Sequence, residues 1–418
     1  MDEAQSATAA GQQVTERLVR SDTFASLAVV QFRYLLAGTA MAQVAGWMEE
    51  VARGWLVLQL TGSAFQLGLV GFIRGFSQLV FSPVAGVLAD RMDRRHLATV
   101  TQMVPAVVAL VIAGLVSTDR VAMWHLYALV CVAGIAGAVN MPTRQVLVYD
   151  VVGTKHITNA IALNAVVSNL ARIVAPSVGG VFIGLTGIAS SYYAQAFFFI
   201  FASLANVMLR PVARADPVRV PVWQGIQQGI DYVRQQPVVA RLVLLNAVPN
   251  LIIYPYVAMM PIFAEKVLHA GSAGFGLLLT GVGFGSIPGG LIVANMSGSN
   301  WKGRAMGVAS LLYMGMVALF SLSTLFVLSF AVLVVAGVGW SMMVTLNQTL
   351  LQTNVEDAFR GRVLALYTMA GGLTPFGNLA MGASANHFGV QASVFVFAVS
   401  GFVLAGVLGL GSARIRRL

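Results

Sequence analysis

The sequence predicts an all-α membrane protein whose twelve transmembrane helices form two pseudo-symmetric six-helix bundles. Three observations lead there. Of 418 residues, 58% are apolar and only 10% charged, with a mean hydropathy of +0.81. Water-soluble domains carry roughly 25% charged residues, so a soluble enzyme and a nucleic-acid binder are both excluded. Apolar stretches of about 20 residues, enough to cross a hydrocarbon core of about 30 Å, recur along the whole chain. Basic residues, finally, collect in alternate loops.

The first six spans are expected at 32–60, 66–88, 97–116, 122–141, 158–185 and 191–209. Six more are expected at 240–263, 274–294, 305–322, 325–346, 363–385 and 392–410. Residues 1–23 mix charged and small polar side chains without an apolar core and read as a cytoplasmic tail, not a signal peptide. The expected organisation is an amino-terminal bundle over 24–209, a cytoplasmic linker over 210–239, a carboxy-terminal bundle over 240–412 and a basic cytoplasmic tail over 413–418. With the amino terminus inside, twenty Lys and Arg residues fall on cytoplasmic segments and only Arg120 and Lys266 outside. That asymmetry sets the orientation, with both termini cytoplasmic and the chain in the inner (cytoplasmic) membrane.

In the linker, Trp223, Ile226, Ile230 and Val233 recur at helical spacing, with Gln224, Gln227, Gln228, Asp231 and Arg234 between them. This is an amphipathic helix. It either lies along the inner membrane face or packs on the cytoplasmic ends of the spans. The single cysteine, Cys131, allows no internal disulfide and argues against a metal site. The five histidines are scattered, and neither a phosphate-binding G-x-x-x-x-G-K-[ST] nor an H-E-x-x-H occurs. No enzymatic activity, cofactor, metal or nucleic-acid partner is expected, and nothing calls for more than a monomer among its lipids.

Charge inside the membrane is the next signal, because each ionised group costs at least roughly 2.5 kcal/mol at a helix centre unless it is paired or wet. Five such residues occur: Glu49, Glu50, Arg53, Arg74 and Arg172. At 1.5 Å per residue, Glu50, Arg74 and Arg172 lie about 15, 12 and 20 Å from the outer ends of their spans. Helical spacing puts Gln43, Gly46, Glu50 and Arg53 on one stripe of the first span. Arg74 and Gln78 share a stripe of the second, and Asn164, Ser168 and Arg172 one of the fifth. The three stripes are expected to line one polar cavity. There Glu49 or Glu50 exchanges a proton in competition with Arg53, Arg74 or Arg172, unless the set is a permanent salt-bridge network or binds a charged substrate directly.

Backbone breakers mark the moving parts. Pro176 removes a helix hydrogen bond, and Gly179 and Gly180 let a neighbouring helix approach closely. Pro249, Pro255 and Pro261 interrupt the seventh span, glycines and Pro288 crowd the eighth, and Gly371, Gly372, Pro375 and Gly377 break the eleventh. Asn246, Asn250 and Tyr254 in the seventh span, with Trp340 and Asn347 in the tenth, are candidate contacts for an amphipathic substrate.

After the second span stands Gly86-Val87-Leu88-Ala89-Asp90-Arg91-Met92-Asp93-Arg94-Arg95. It resembles the loop signature of the major facilitator superfamily, G-x-L-A-D-R-x-G-R-R, with Asp93 replacing the last glycine. Leu60-Thr61-Gly62-Ser63, Pro142-Thr143-Arg144-Gln145, the run from Asn159 to Asn164, and Arg360-Gly361-Arg362-Val363 followed by Thr374-Pro375 are similar to its enterobactin-exporter and transmembrane secretion effector branch. An aspartate at a helix end accepts charge-assisted hydrogen bonds. The resemblance implies that Asp90, with Arg91, Arg94 and Arg95 beside it, meets the start of the eleventh span at Arg360 and Arg362 and latches the halves on the inside. Arg94 and Arg95 are also expected to anchor the loop to anionic lipid. Ala175-Pro176-Ser177-Val178-Gly179-Gly180 resembles the G-P-x-x-G-G antiporter signature. The arginine that the fourth span of many proton-coupled drug exporters carries has no counterpart near Val130 and Cys131, so the resemblance does not itself carry coupling over.

The expected function is secondary active export of a small amphipathic organic molecule, drug-like or siderophore-like, by alternating access with proton antiport. A facilitator or lysolipid flippase on the same fold is the alternative within transport. A non-transporting membrane sensor or scaffold is the alternative outside it.

Overall fold

The computed structural model describes residues 24–209, 222–296, 298–299 and 301–411, without the side chains of 86, 87, 89–91, 222–226 and 358. The described residues contain helices and no strand. Helix α1 spans Val30–Thr61 and stops at Gly62, whose φ of 60° is the left-handed conformation that glycine adopts at little cost. Ser63 caps α2 (Ala64–Arg91) by accepting the Gln66 amide. Asp93 caps α3 (Arg94–Ser117) by accepting the amides of Arg95 and His96 at 2.8 and 3.4 Å. The residue that departs from the loop signature therefore begins the next helix.

Met123–Thr186 is helical throughout except at Gly153, where φ of 64° and ψ of −176° turn the chain. Its arms are α4 (123–152) and α5 (154–186). The sequence suggests a polar loop from about 142 to 157, yet both helices run on to Gly153. Arg144 consequently lies on α4, half-buried, and bonds to the hydroxyl of Thr39 on α1. Helix α6 (Ile188–Val207) completes the first group. After α7 (Val222–Gln235) come α8 (Pro237–Val267), α9 (Gly271–Ala294), α10 (Lys302–Leu322) and α11 (Phe326–Asn354). Asp357–Gly371 (α12) and Thr374–Phe388 (α13) are separated by a two-residue break, and α14 is Val390–Leu410.

Nine helical stretches among the described residues are long and apolar enough to cross a membrane, and one of them is the 64-residue Met123–Thr186. Helix α1 is not among the nine, because Arg33, Gln43, Glu49, Glu50 and Arg53 interrupt its apolar run. Helices α12 and α13 are each too short alone.

Helices before residue 210 pack chiefly on one another, and α8–α14 likewise. The two groups meet along two seams, α5 on α9 and α2 on α13. Glycine makes both possible. A Cβ at Gly276 would overlap the Pro176 carbonyl, and one at Gly180 the Ser272 carbonyl. Gly68 and Gly382 face each other across the second seam just as closely. The glycines of α9 have a packing role as well, because Cβ atoms at Gly285 and Gly289 would overlap carbonyls of α11. Despite Pro288, α9 is unbroken, so the eighth-span interruption inferred from the sequence is absent. The seventh span does deform, through π-helical turns at Pro249–Ile253 and Phe263–Val267.

Helix α7 packs against α12. Tyr232 stacks on Phe359 with ring centres 4.5 Å apart, its hydroxyl accepts the Glu356 amide, and Gly229 abuts Arg362. Of the two placements open to this amphipathic helix, the structure has the one on helix ends. Trp223 and Ile226 lie outside the described side chains, while Ile230 and Val233 are half-buried.

Candidate functional site

A cavity of about 890 Å³ lies between the two groups of helices. One face of α1 lines it with Gln43, Gly46, Trp47, Glu50 and Arg53, which recur at intervals of three and four. Helix α2 adds Arg74 and Gln78, α5 adds Ser168 and Arg172, and α8 adds Tyr254. The wall on the α12–α13 side comes from Thr368, Thr374, Pro375 and Asn378 near the break between these helices. The two glycine seams close one end, where Lys266 donates to the Gly62 carbonyl at 2.9 Å and Ser63 meets Asn386 at 3.3 Å. Towards the other end the lining residues Met141 and Met369 are 60% and 46% exposed. The cavity is therefore open at that end and shut at the Gly62 end.

Four of the five membrane-embedded charges form one cluster. Glu49 holds Arg74 Nη1 at 2.5 Å and Arg53 Nε at 3.1 Å, and Arg53 also pairs with Glu50. Two acids and two guanidinium groups neutralise one another there, so the cost of leaving water is offset at close range. The two carboxylates are not equivalent. Glu49 bridges α1 to α2 behind the wall with 16% of its side chain exposed, whereas Glu50 is on the wall with 34% exposed.

Arg172 stands apart from this cluster, contrary to the single network the stripes suggest. Among the described residues no carboxylate is within ion-pair distance of it. Its guanidinium carbon lies 5.6 Å from the ring centre of Trp47 and 4.9 Å from that of Trp340, and its Nε is buried without a hydrogen-bond partner. Trp340 reaches this arginine from α11 without lining the main cavity.

The expected polar contacts divide. Gln43 and Ser168 meet at 2.8 Å, joining α1 to α5, and with Gln78 and Tyr254 they are on the wall. The asparagines are not. Asn164 donates to the Ala160 carbonyl of its own helix, Asn246 to the Tyr367 carbonyl at 2.8 Å and Asn347 to the Leu242 carbonyl at 3.1 Å. Asn250 donates to the Asn246 carbonyl at 2.8 Å. Amides in apolar helices need partners, and backbone carbonyls supply them here.

Two neighbours were not singled out in the sequence. Trp47 shares the spacing of Gln43 and Glu50, so the α1 stripe could have yielded it. Tyr192 of α6 is 1% exposed within electrostatic reach of Glu49 and Arg53, and no sequence pattern distinguishes it from a core tyrosine.

The model of one protein family, described as transmembrane secretion effector, matches residues 21–416. The chain belongs to the transmembrane secretion effector family. These are carriers of the major facilitator superfamily, not enzymes. The chain is 23% identical to the staphyloferrin A transporter of Staphylococcus aureus over 382 residues, 88% of this chain and 93% of that one. To the multidrug efflux pump Tap of Mycolicibacterium fortuitum it is 25% identical over 405 residues, 94% and 97% of the two chains. In fold it matches a bacterial homologue of the human lysosomal transporter Spinster, solved in an inward-facing, unoccupied conformation. The TM-score is 0.73 at 15% identity, over 93% of this chain and 97% of the other.

In this secretion effector the side chains of Asp90 and Arg91 lie outside the described residues. The other members of the expected latch have partners within their own half. Arg94 pairs with Asp150 at 2.8 Å and Arg95 donates to the Val207 carbonyl, so neither is held by lipid alone. Arg360 pairs with Asp357 at 2.6 Å, and Arg362 lies over the Phe359 ring. Pro176, Gly179 and Gly180 stand at the closed end, with Gly179 against Met48 of α1 and Gly180 against α9.

Proposed function

We propose that this secretion effector exports a small amphipathic organic molecule by alternating access, driven by proton antiport. Twelve spans follow if α1 and α12–α13 are counted with the nine and Met123–Thr186 is counted twice. The 24–209 and 240–412 bundles are then the two moving bodies. The observation that carries the reading is the cavity itself, open at one end, sealed at the other by glycine seams, and carrying on its wall a carboxylate paired with an arginine. With the amino terminus inside, the open end is cytoplasmic, as an exporter requires for loading. Similarity to a multidrug efflux pump supports outward movement, and similarity to a staphyloferrin A transporter supports a small organic substrate.

Glu50 is the proton-exchanging group in this reading and Glu49 the fixed clamp. Water in the open cavity reaches Glu50, whereas rocking to the outward state changes its hydration and its distance from Arg53. Proton binding at Glu50 releases Arg53 from one of its two partners, and proton loss restores the pair. Asp90 latches the cytoplasmic ends when the cavity faces outward.

Proteoliposomes with an imposed pH gradient test this. Purified protein should accumulate staphyloferrin A against its concentration gradient only when protons flow the other way. Uptake that follows the substrate's own gradient and ignores pH would make the protein a facilitator.

A further inference from the structure

We infer that Arg172 is an anion-recognition subsite, so that the exported molecule carries a carboxylate or an equivalent anionic group. This deepens the export reading and rests on it for the site's place in the transport cycle. Glu49, Glu50, Arg53 and Arg74 balance to zero, which leaves Arg172 as a net positive charge on the cavity wall. The other arginines of the cavity wall meet carboxylates, Arg53 those of Glu49 and Glu50 and Arg74 that of Glu49. Arg172 donates no hydrogen bond among the described residues, and its buried Nε has no partner.

What it has instead is two tryptophans. Trp47 and Trp340 stabilise a cation through their ring electrons, but they do not take up the guanidinium's directed N–H donors. Those five donors form a planar fork that matches the two oxygens of a carboxylate. The site thus holds the charge in place without spending its hydrogen bonds. The rings also offer flat apolar surface beside the charge, suited to the aromatic or hydrocarbon part of an amphipathic anion. Trp47 comes from α1 and Trp340 from α11, so the subsite spans both groups of helices. An anion bound there contacts both moving bodies.

Three probes of one shape test the inference by titration calorimetry of the purified full-length protein in detergent: 1-naphthoate, 1-naphthamide and 1-naphthylmethylammonium. The wild type should bind the carboxylate at least about tenfold more tightly than the amide, with the ammonium weakest. Arg172→Gln should remove that preference while weak amide binding persists, and Arg172→Lys should keep part of it. An unchanged melting temperature and gel-filtration profile of Arg172→Lys guards against misfolding. The inference is overturned if the carboxylate does not bind, if the amide or ammonium binds equally well, or if Arg172→Gln binds the carboxylate as the wild type does. Arg172-dependent carboxylate binding without proton-linked flux would remove the export reading and leave this subsite standing. Proton-linked flux of the ammonium that persists in Arg172→Gln would do the reverse.

Discussion

Glu49 and Arg74 stand on different helices and meet at 2.5 Å, while the same carboxylate holds Arg53 from its own helix at 3.1 Å. One acid thus serves two buried cations and ties α1 to α2. Glu50 pairs with Arg53 alone.

Removing the shared carboxylate charge should therefore be the more damaging change. Breaking a buried pair leaves an uncompensated charge and costs about 3 kcal/mol. Glu49→Gln is expected to lose about that much stability, and Glu50→Gln markedly less because its side chain is twice as exposed. Thermal unfolding in detergent checks the order. Equal melting temperatures would show that Glu49 is no clamp.

The seam at Gly276 should control which end is closed. Valine there must displace the Pro176 carbonyl of α5, and overpacking of this kind costs about 1–3 kcal/mol. A cost of 1.4 kcal/mol shifts a two-state population roughly tenfold. Gly276→Val should open the Gly62 end and raise the maleimide labelling rate of Ser63→Cys in a Cys131→Ser background. Unchanged labelling would mean that the seam does not hold the closed state.

Asp93 replaces a glycine of the loop signature and caps α3 through the amides of Arg95 and His96. An alanine at such a cap costs about 1 kcal/mol and a glycine only a few tenths. Asp93→Ala should therefore melt lower than Asp93→Gly. The opposite order would assign the aspartate a role other than capping.

The cavity's first-half wall was legible because period and polarity coincide. In an apolar helix, Gln43, Glu50 and Arg53 can share a stripe only if that stripe faces water or partners. The second half carried a weaker signal, since an amide at helical spacing looks the same whether it faces a cavity or bonds to a backbone carbonyl. Asn246 and Asn347 do the latter. The separation of Arg172 from the acids was equally hidden. Its depth matches theirs, but its direction depends on how α5 packs against Trp47 and Trp340. The glycines of α9 read as a discontinuity of the span and are packing contacts, because a small side chain serves either purpose and only the neighbouring helix decides which.

The most direct test is proton movement driven by substrate in proteoliposomes containing Glu50→Gln. Substrate added to one side should no longer move protons, although substrate exchange down its own gradient continues. Substrate-driven proton movement at the wild-type rate in Glu50→Gln would contradict it.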